Sequence, residues 1–314
     1  MPLPQLNTEI SFSKGELADL GTVLKNIFKT NPVSAIYSSE NPQLTPHFLK
    51  NIDEENLQLL LNLNLAQYAS NHYTWCFLPV LGNNLIFFRD FPKYISHSQY
   101  VWVRENTASG SWKFAQSLPV KKRTRVLDLG TGSGLLALTA RLKGGTVLGI
   151  DINPRAIMLA SLNLNLNNLD DVEFQLCNWV DVDSDQFDLI VSQPPFDSYL
   201  TGMTPSFAFN GGNRTGLRAT EEIIRLFCPK KGQTLILYIH VFENDSQSHF
   251  QGLLDEWIDT TSVHLELKPQ KCYSIESWWK SIKLRRSLDP NLSLPPDFHL
   301  YKKKVAYFVI LSGN

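Results

Sequence analysis

From Thr124 onward, short apolar runs alternate with amphipathic stretches, and this alternation constrains the fold more than any other feature. Arg125 to Leu129, Thr146 to Asp151, Val172 to Cys177, Phe187 to Ser192 and Thr234 to His240 read as strands. Leu135 to Leu142, Pro154 to Asn165 and Thr220 to Phe227 read as helices between them. Parallel strands need long crossovers, and helices of this length supply them. The expected fold class is α/β, a doubly wound sheet of four parallel strands with crossover helices. A helix over Phe250 to Asp259 and strands over Val263 to Leu267 and Lys304 to Leu311 complete it.

The chain before Thr124 has a different pattern. Leu17, Leu20, Val23, Leu24, Ile27 and Phe28 recur at helical spacing between Glu16 and Phe28. Asp53 is placed to cap a Leu-rich helix from Glu54 to Leu65. Trp75 to Leu81 and Leu85 to Arg89 flank Gly82-Asn83-Asn84, which reads as a hairpin. Helices followed by a two-stranded wing predict a smaller winged-helix-like domain over residues 1–105, expected to recognise substrate. Its lysines and arginines are scattered, which favours packing or protein binding over reading DNA. The second domain is expected over 106–314, with Trp112 to Leu118 as an amphipathic stretch near its start.

Composition excludes several classes. A formal net charge of −1 does not suit a surface that works by neutralising phosphates alone. The four cysteines are far apart, with no Cys-x-x-Cys pair, which fits a reducing cytoplasm. The seven histidines show no metal-ligand spacing, so no metal is expected. The start of the chain lacks a basic and then apolar leader, and no apolar run approaches about 18 residues. No association with a membrane is expected.

Val126-Leu127-Asp128-Leu129-Gly130-Thr131-Gly132-Ser133-Gly134 ends the first strand and opens the first helix. Glycines at every second position let a ligand approach the backbone without meeting a Cβ. The spacing is neither Gly-x-Gly-x-x-Gly nor a Gly-Lys-Ser/Thr phosphate loop. Asp151 ends the next strand, where a carboxylate can accept both hydroxyls of a ribose.

These segments resemble the first two motifs of the class I S-adenosylmethionine-dependent methyltransferases, whose fold is Rossmann-like. The resemblance implies S-adenosyl-L-methionine as cofactor. It implies that the loop of Gly130, Thr131, Gly132 and Gly134 surrounds the methionine part of the cofactor, and that Asp128 orients that loop or reaches the amino group. Asp151 would hold the ribose, Ile152 would pack on adenine, and Asn178 would bond the adenine amine. Trp179 covers the adenine or belongs to the core.

Ile190-Val191-Ser192-Gln193-Pro194-Pro195-Phe196 ends the fourth strand at two prolines that cannot continue a sheet. It resembles the Asn/Asp/Ser-Pro-Pro-Tyr/Phe motif of methyltransferases acting on amide or exocyclic amine nitrogens. By that resemblance Gln193 and the Pro194 carbonyl accept from the target nitrogen, beside the cofactor. Pro195 fixes the turn and Phe196 packs on the planar group. Gln193 departs from the family, which has a shorter residue there. Phe209-Asn210-Gly211-Gly212-Asn213-Arg214-Thr215-Gly216-Leu217 resembles a segment of HemK/PrmC-like N5-glutamine methyltransferases. The first expected acceptor is therefore a protein glutamine side chain. A small molecule with a planar nitrogen, an RNA or DNA base, and a catalytically silent cofactor-binding subunit stand as alternatives, with nucleic acid not favoured. Trp278, Trp279 and the basic residues between Lys271 and Lys304 are expected to pack over the core with some substrate contact.

Overall fold

In the computed structural model, Lys14–Thr30 forms helix α1. The structure describes residues 3–7, 12–30, 43–91, 99, 101, 109–195, 216–244, 249–258, 261–285 and 298–314. A capping box starts α1. The Glu16 carboxylate accepts from the Ser13 amide at 2.8 Å, and Ser13 Oγ accepts from the Glu16 amide at 3.2 Å. Pro46–Asn51 (α2) is capped by Thr45, and Glu54–Asn62 (α3) by Asp53 as expected. The expected helix to Leu65 stops at Asn62, because Asn64 takes a left-handed φ of 55°.

Two hairpins follow rather than the one expected. Ala66–Ala69 (β1) pairs with His72–Trp75 (β2), and Leu78–Gly82 (β3) with Leu85–Arg89 (β4), both antiparallel. The reading of Trp75 to Leu81 as one strand is therefore corrected. Trp75 closes β2, and the turn before β2 is made by Ser70 and Asn71 at φ of 53° and 63°. Gly110–Ser117 (α4) matches the amphipathic stretch, burying Trp112, Phe114 and Ala115.

The remaining elements alternate. They are β5 (Arg125–Leu129), α5 (Leu135–Leu142), β6 (Thr146–Asp151), α6 (Pro154–Leu166), β7 (Val172–Leu176) and β8 (Leu189–Ser192). Then come α7 (Arg218–Leu226), β9 (Thr234–Glu243), α8 (His249–Trp257), β10 (Val263–Ser274), α9 (Ile275–Arg285) and β11 (Lys303–Gly313). The seven-stranded sheet has the order β10-β11-β9-β8-β5-β6-β7. β5 and β9 run parallel to β8, and β6 runs parallel to β7. β11 is antiparallel to both β9 and β10. The α/β fold class stands.

The chain divides into two compact units, Met1–Arg123 with Gly130–Trp179, and Thr124–Leu129 with Val180–Asn314. In the first, α1 lies against α6 so closely that a Cβ on Gly21 would sit 1.7 Å from the Leu166 carbonyl oxygen. Burying Leu20, Leu24 and Phe28 of α1, the last stacked on Phe48, contributes roughly 1.5–3 kcal/mol for each side chain. In the second, β9 continues six residues past the register pair of Leu237 with Ser192. That overhang carries Phe242, on which Trp278 of α9 packs edge-on at 4.7 Å, with Trp279 and Phe298 in the same cluster. The expected packing role of the two tryptophans is met by a helix that their composition did not announce. His240 is a core histidine, bonded to the Tyr238 hydroxyl at 3.1 Å.

Candidate functional site

The glycine loop is built by three backbone conformations that L side chains resist. Gly130 and Gly132 have φ of 68° and 57°, and a Cβ on either would meet no heavy atom within 4 Å. Open space over strained backbone is what a ligand cradle needs. Gly134 differs: a Cβ there would come 3.2 Å from the Phe174 ring, so it also serves the packing of α5. Gly149 lies beneath the loop, where a Cβ would fall 2.7 Å from Phe174 and 2.8 Å from Thr131 Oγ1. The Thr131 amide donates to the Ile150 carbonyl at 2.8 Å, which ties the loop to the end of β6.

Asp151 sits at that end. Its carboxylate accepts from the amides of Gly132 at 3.0 Å and Asn153 at 2.9 Å. Burial pushes the Asp151 carboxyl above the usual carboxylate range, against the downward pull of the amides of Asn153, Gly132 and Ile152. Asn153 then caps α6, accepting from the Arg155 amide at 3.0 Å, with Pro154 in the first turn. Ile152, next to Asp151, is 46% exposed. Asn178 is exposed, and Trp179 is half-buried at the start of a single 3-10 turn. Gly130, Thr131, Gly132, Gly134, Asp151, Ile152, Asn178 and Trp179 all belong to the first unit.

Asp128, Gln193, Pro194 and Pro195 belong to the second unit. Asp128 is fully buried on β5, in register with Val191 of β8. Ser192 Oγ donates to the Leu129 carbonyl at 2.7 Å, which locks the ends of β5 and β8 together. Gln193 and Pro195 are half-buried and Pro194 is buried. Phe196 and most of the segment 209–217 lie outside the described residues.

The loop fits an adenosyl cofactor on these grounds: an open backbone cradle, a carboxylate at the adjoining strand end, and an exposed apolar side chain beside it. Among the described residues no group of three or more His, Cys, Asp or Glu is placed to hold a metal ion. No helix there is long and apolar enough to cross a membrane.

Sequence reasoning missed the polar residues that brace this region. Arg155 and Asp90 form a buried ion pair at 2.5 and 3.0 Å, and Asp90 also accepts from the Val101 amide at 2.8 Å. Asn163 lies on the buried face of α6, and Asn167 is its buried C-cap. Two asparagines four residues apart among leucines were the available signal.

Known proteins were compared with the chain. It is similar to the release factor glutamine methyltransferase of Francisella tularensis subsp. tularensis, 31% identical over 165 residues, 51% of this chain and 53% of that protein. It is similar to the ribosomal protein L11 methyltransferase of Clostridium perfringens, 43% identical over 74 residues, 23% of this chain and 24% of that protein. The chain thus spans about half the length of the first relative and about a quarter of the second. Among solved structures, that of Trm5b from Pyrococcus abyssi aligns with 99% of this chain and 82% of its own, at 13% identity and a TM-score of 0.46. Residues 94–205 match the family model described as the methyltransferase small domain, about a third of the chain.

Proposed function

We propose that the protein transfers the methyl group of S-adenosylmethionine to a planar amide or amine nitrogen, with a protein glutamine side chain as the first acceptor. The observation that carries this reading is the Ser192–Leu129 bond, which fixes the start of Gln193-Pro194-Pro195 at the strand end that leads into Gly130. The cofactor supplies a methyl group on a sulfonium centre. The chain's own residues bind and orient. The backbone of Gly130 and Gly132 leaves room for the methionine part, Asp151 accepts from the ribose hydroxyls, and Ile152 meets the adenine. Asp128 orients the loop from within β5, while Asn178 and Trp179 border the adenine. The Gln193 side chain and the Pro194 carbonyl accept the N–H groups of the acceptor, and Phe196 packs on its plane. Held in this way, the nitrogen lone pair points at the methyl group, and positioning lowers the barrier. The proton leaves after transfer, so no strong base is required.

We further propose that residues 1–105 recognise the substrate. The relatives named for glutamine and for ribosomal protein L11 support a protein acceptor. Cys76, Cys177, Cys228 and Cys272 form no disulfide, which supports a cytoplasmic location.

Incubation of the protein with methyl-labelled cofactor and a cell extract tests the acceptor class. Label is expected in protease-sensitive material. Label in nuclease-sensitive or low-mass material alone contradicts a protein acceptor, and no label alongside normal cofactor binding indicates a silent subunit. Gln193→Ala is expected to lower turnover about tenfold, the worth of one positioning hydrogen bond, with cofactor affinity unchanged. Full activity in that variant, measured by label incorporation, removes the side chain from the mechanism and leaves the Pro194 carbonyl.

A further inference from the structure

Asn163 is fully buried on the face of α6 that also buries Leu159, Leu162 and Leu166, and Asn167, nearly fully buried, is the C-cap of that helix. Buried carboxamides require partners. Asn167 Oδ1 accepts from the Ile86 amide at 2.9 Å, and its Nδ2 donates to the Ile86 carbonyl at 2.7 Å. Asn163 repeats the arrangement on Phe88, at 2.7 and 3.2 Å. The spacing explains the match. Four helical residues rise about 6 Å, close to the roughly 6.8 Å spanned by two strand residues. The pair therefore serves as a substitute strand along β4.

One bond separates the two residues. Asn163 Nδ2 also donates to the Ser133 carbonyl, in the glycine loop, at 3.0 Å. The corresponding bond of Asn167 goes to the Asn163 carbonyl, within its own helix. The Ser133–Gly134 peptide is thereby held at both ends, since the Gly134 amide donates to the Thr131 carbonyl at 2.9 Å. A fixed peptide plane keeps the loop in its ligand-ready shape.

We infer that Asn163 is a positioning residue that couples the β4 edge to the glycine loop, so that cofactor binding and the seating of the second hairpin reinforce each other. The inference rests on the reading of residues 130–134 as the cofactor loop. Coupling of this kind is reciprocal: whatever steadies the hairpin tightens the cofactor, and the cofactor steadies the hairpin. Substrate held by the N-terminal elements would thus favour a loaded enzyme.

The test uses the full chain and S-adenosylhomocysteine, with dissociation constants from calorimetry and midpoints from urea unfolding. Asn163→Ala and Asn167→Ala are expected to lower the midpoint to a similar extent. Asn163→Ala is expected to raise the dissociation constant about tenfold, and Asn167→Ala by less than about twofold. Equal shifts in both variants, or none in either, overturn the coupling. Failure of the unsubstituted protein to bind overturns the cofactor reading and the coupling together, so the two failures are distinguishable. Should the variants not fold, amide exchange of the unsubstituted protein decides. Ligand is expected to slow exchange at Ile86 and Phe88, and unchanged exchange overturns the inference.

Discussion

Arg155→Ala is expected to lower stability by about 3–5 kcal/mol, the cost of stranding one member of a buried ion pair. The side chains of Arg155 and Asp90 are 3% and 0% exposed. Arg155 meets both carboxylate oxygens of Asp90, and its guanidinium lies 4.9 Å from the centre of the Phe77 ring. Removing the arginine leaves a carboxylate in a place that water does not reach, satisfied only by the Val101 amide and its remaining neighbours. The urea midpoint should fall with little change in slope. The double variant Asp90→Leu/Arg155→Met should recover most of the loss, because burying a pair costs solvation that an apolar pair does not. A single-variant loss below about 1 kcal/mol would show that the site admits water.

Asp151→Ala is expected to weaken cofactor binding about 100-fold, or about 2.7 kcal/mol, as a charged acceptor of two ribose hydroxyls is lost. The ionisation of Asp151 also bears on the empty protein. Burial raises the folded-state value of the Asp151 carboxyl above its value in the unfolded chain. Such a group costs stability as pH rises from the ordinary carboxylate range through the raised value, because the unfolded chain releases its proton more readily. Asp151→Asn removes that component and keeps an acceptor for one of the Gly132 and Asn153 amides, setting its NH2 against the other. Its unfolding midpoint should therefore fall less than that of the unsubstituted protein as pH rises above the ordinary carboxylate range.

Much of the sheet was legible because its strands are short apolar runs bounded by glycine, proline and acidic residues. The glycine loop, Asp151 and the Gln-Pro-Pro turn stand at strand ends, where backbone chemistry leaves a local signature. β1 and β2 were not legible, since Gln67, Tyr68, Ser70, Asn71 and His72 carry no apolar alternation. Their pairing depends on two left-handed turn residues that any polar segment can hide. α9 was hidden by basic and aromatic residues that read equally as surface or insertion, until Phe242 and Phe298 supplied the apolar partners of Trp278. The Arg155–Asp90 pair and the asparagine bonds to β4 join residues 65 to 81 positions apart. Periodicity and spacing carry no information about such contacts. Asn163 also donates to the Ser133 carbonyl of the loop, so the shape of the site depends on more than its motifs state.

Calorimetric titration of the protein with S-adenosylmethionine, beside Asp151→Ala, tests the central claim most directly. The account predicts saturable binding to the unsubstituted protein at one site, weakened about 100-fold in the variant. Absence of binding at about millimolar cofactor, a free energy of only about −4 kcal/mol, would contradict it.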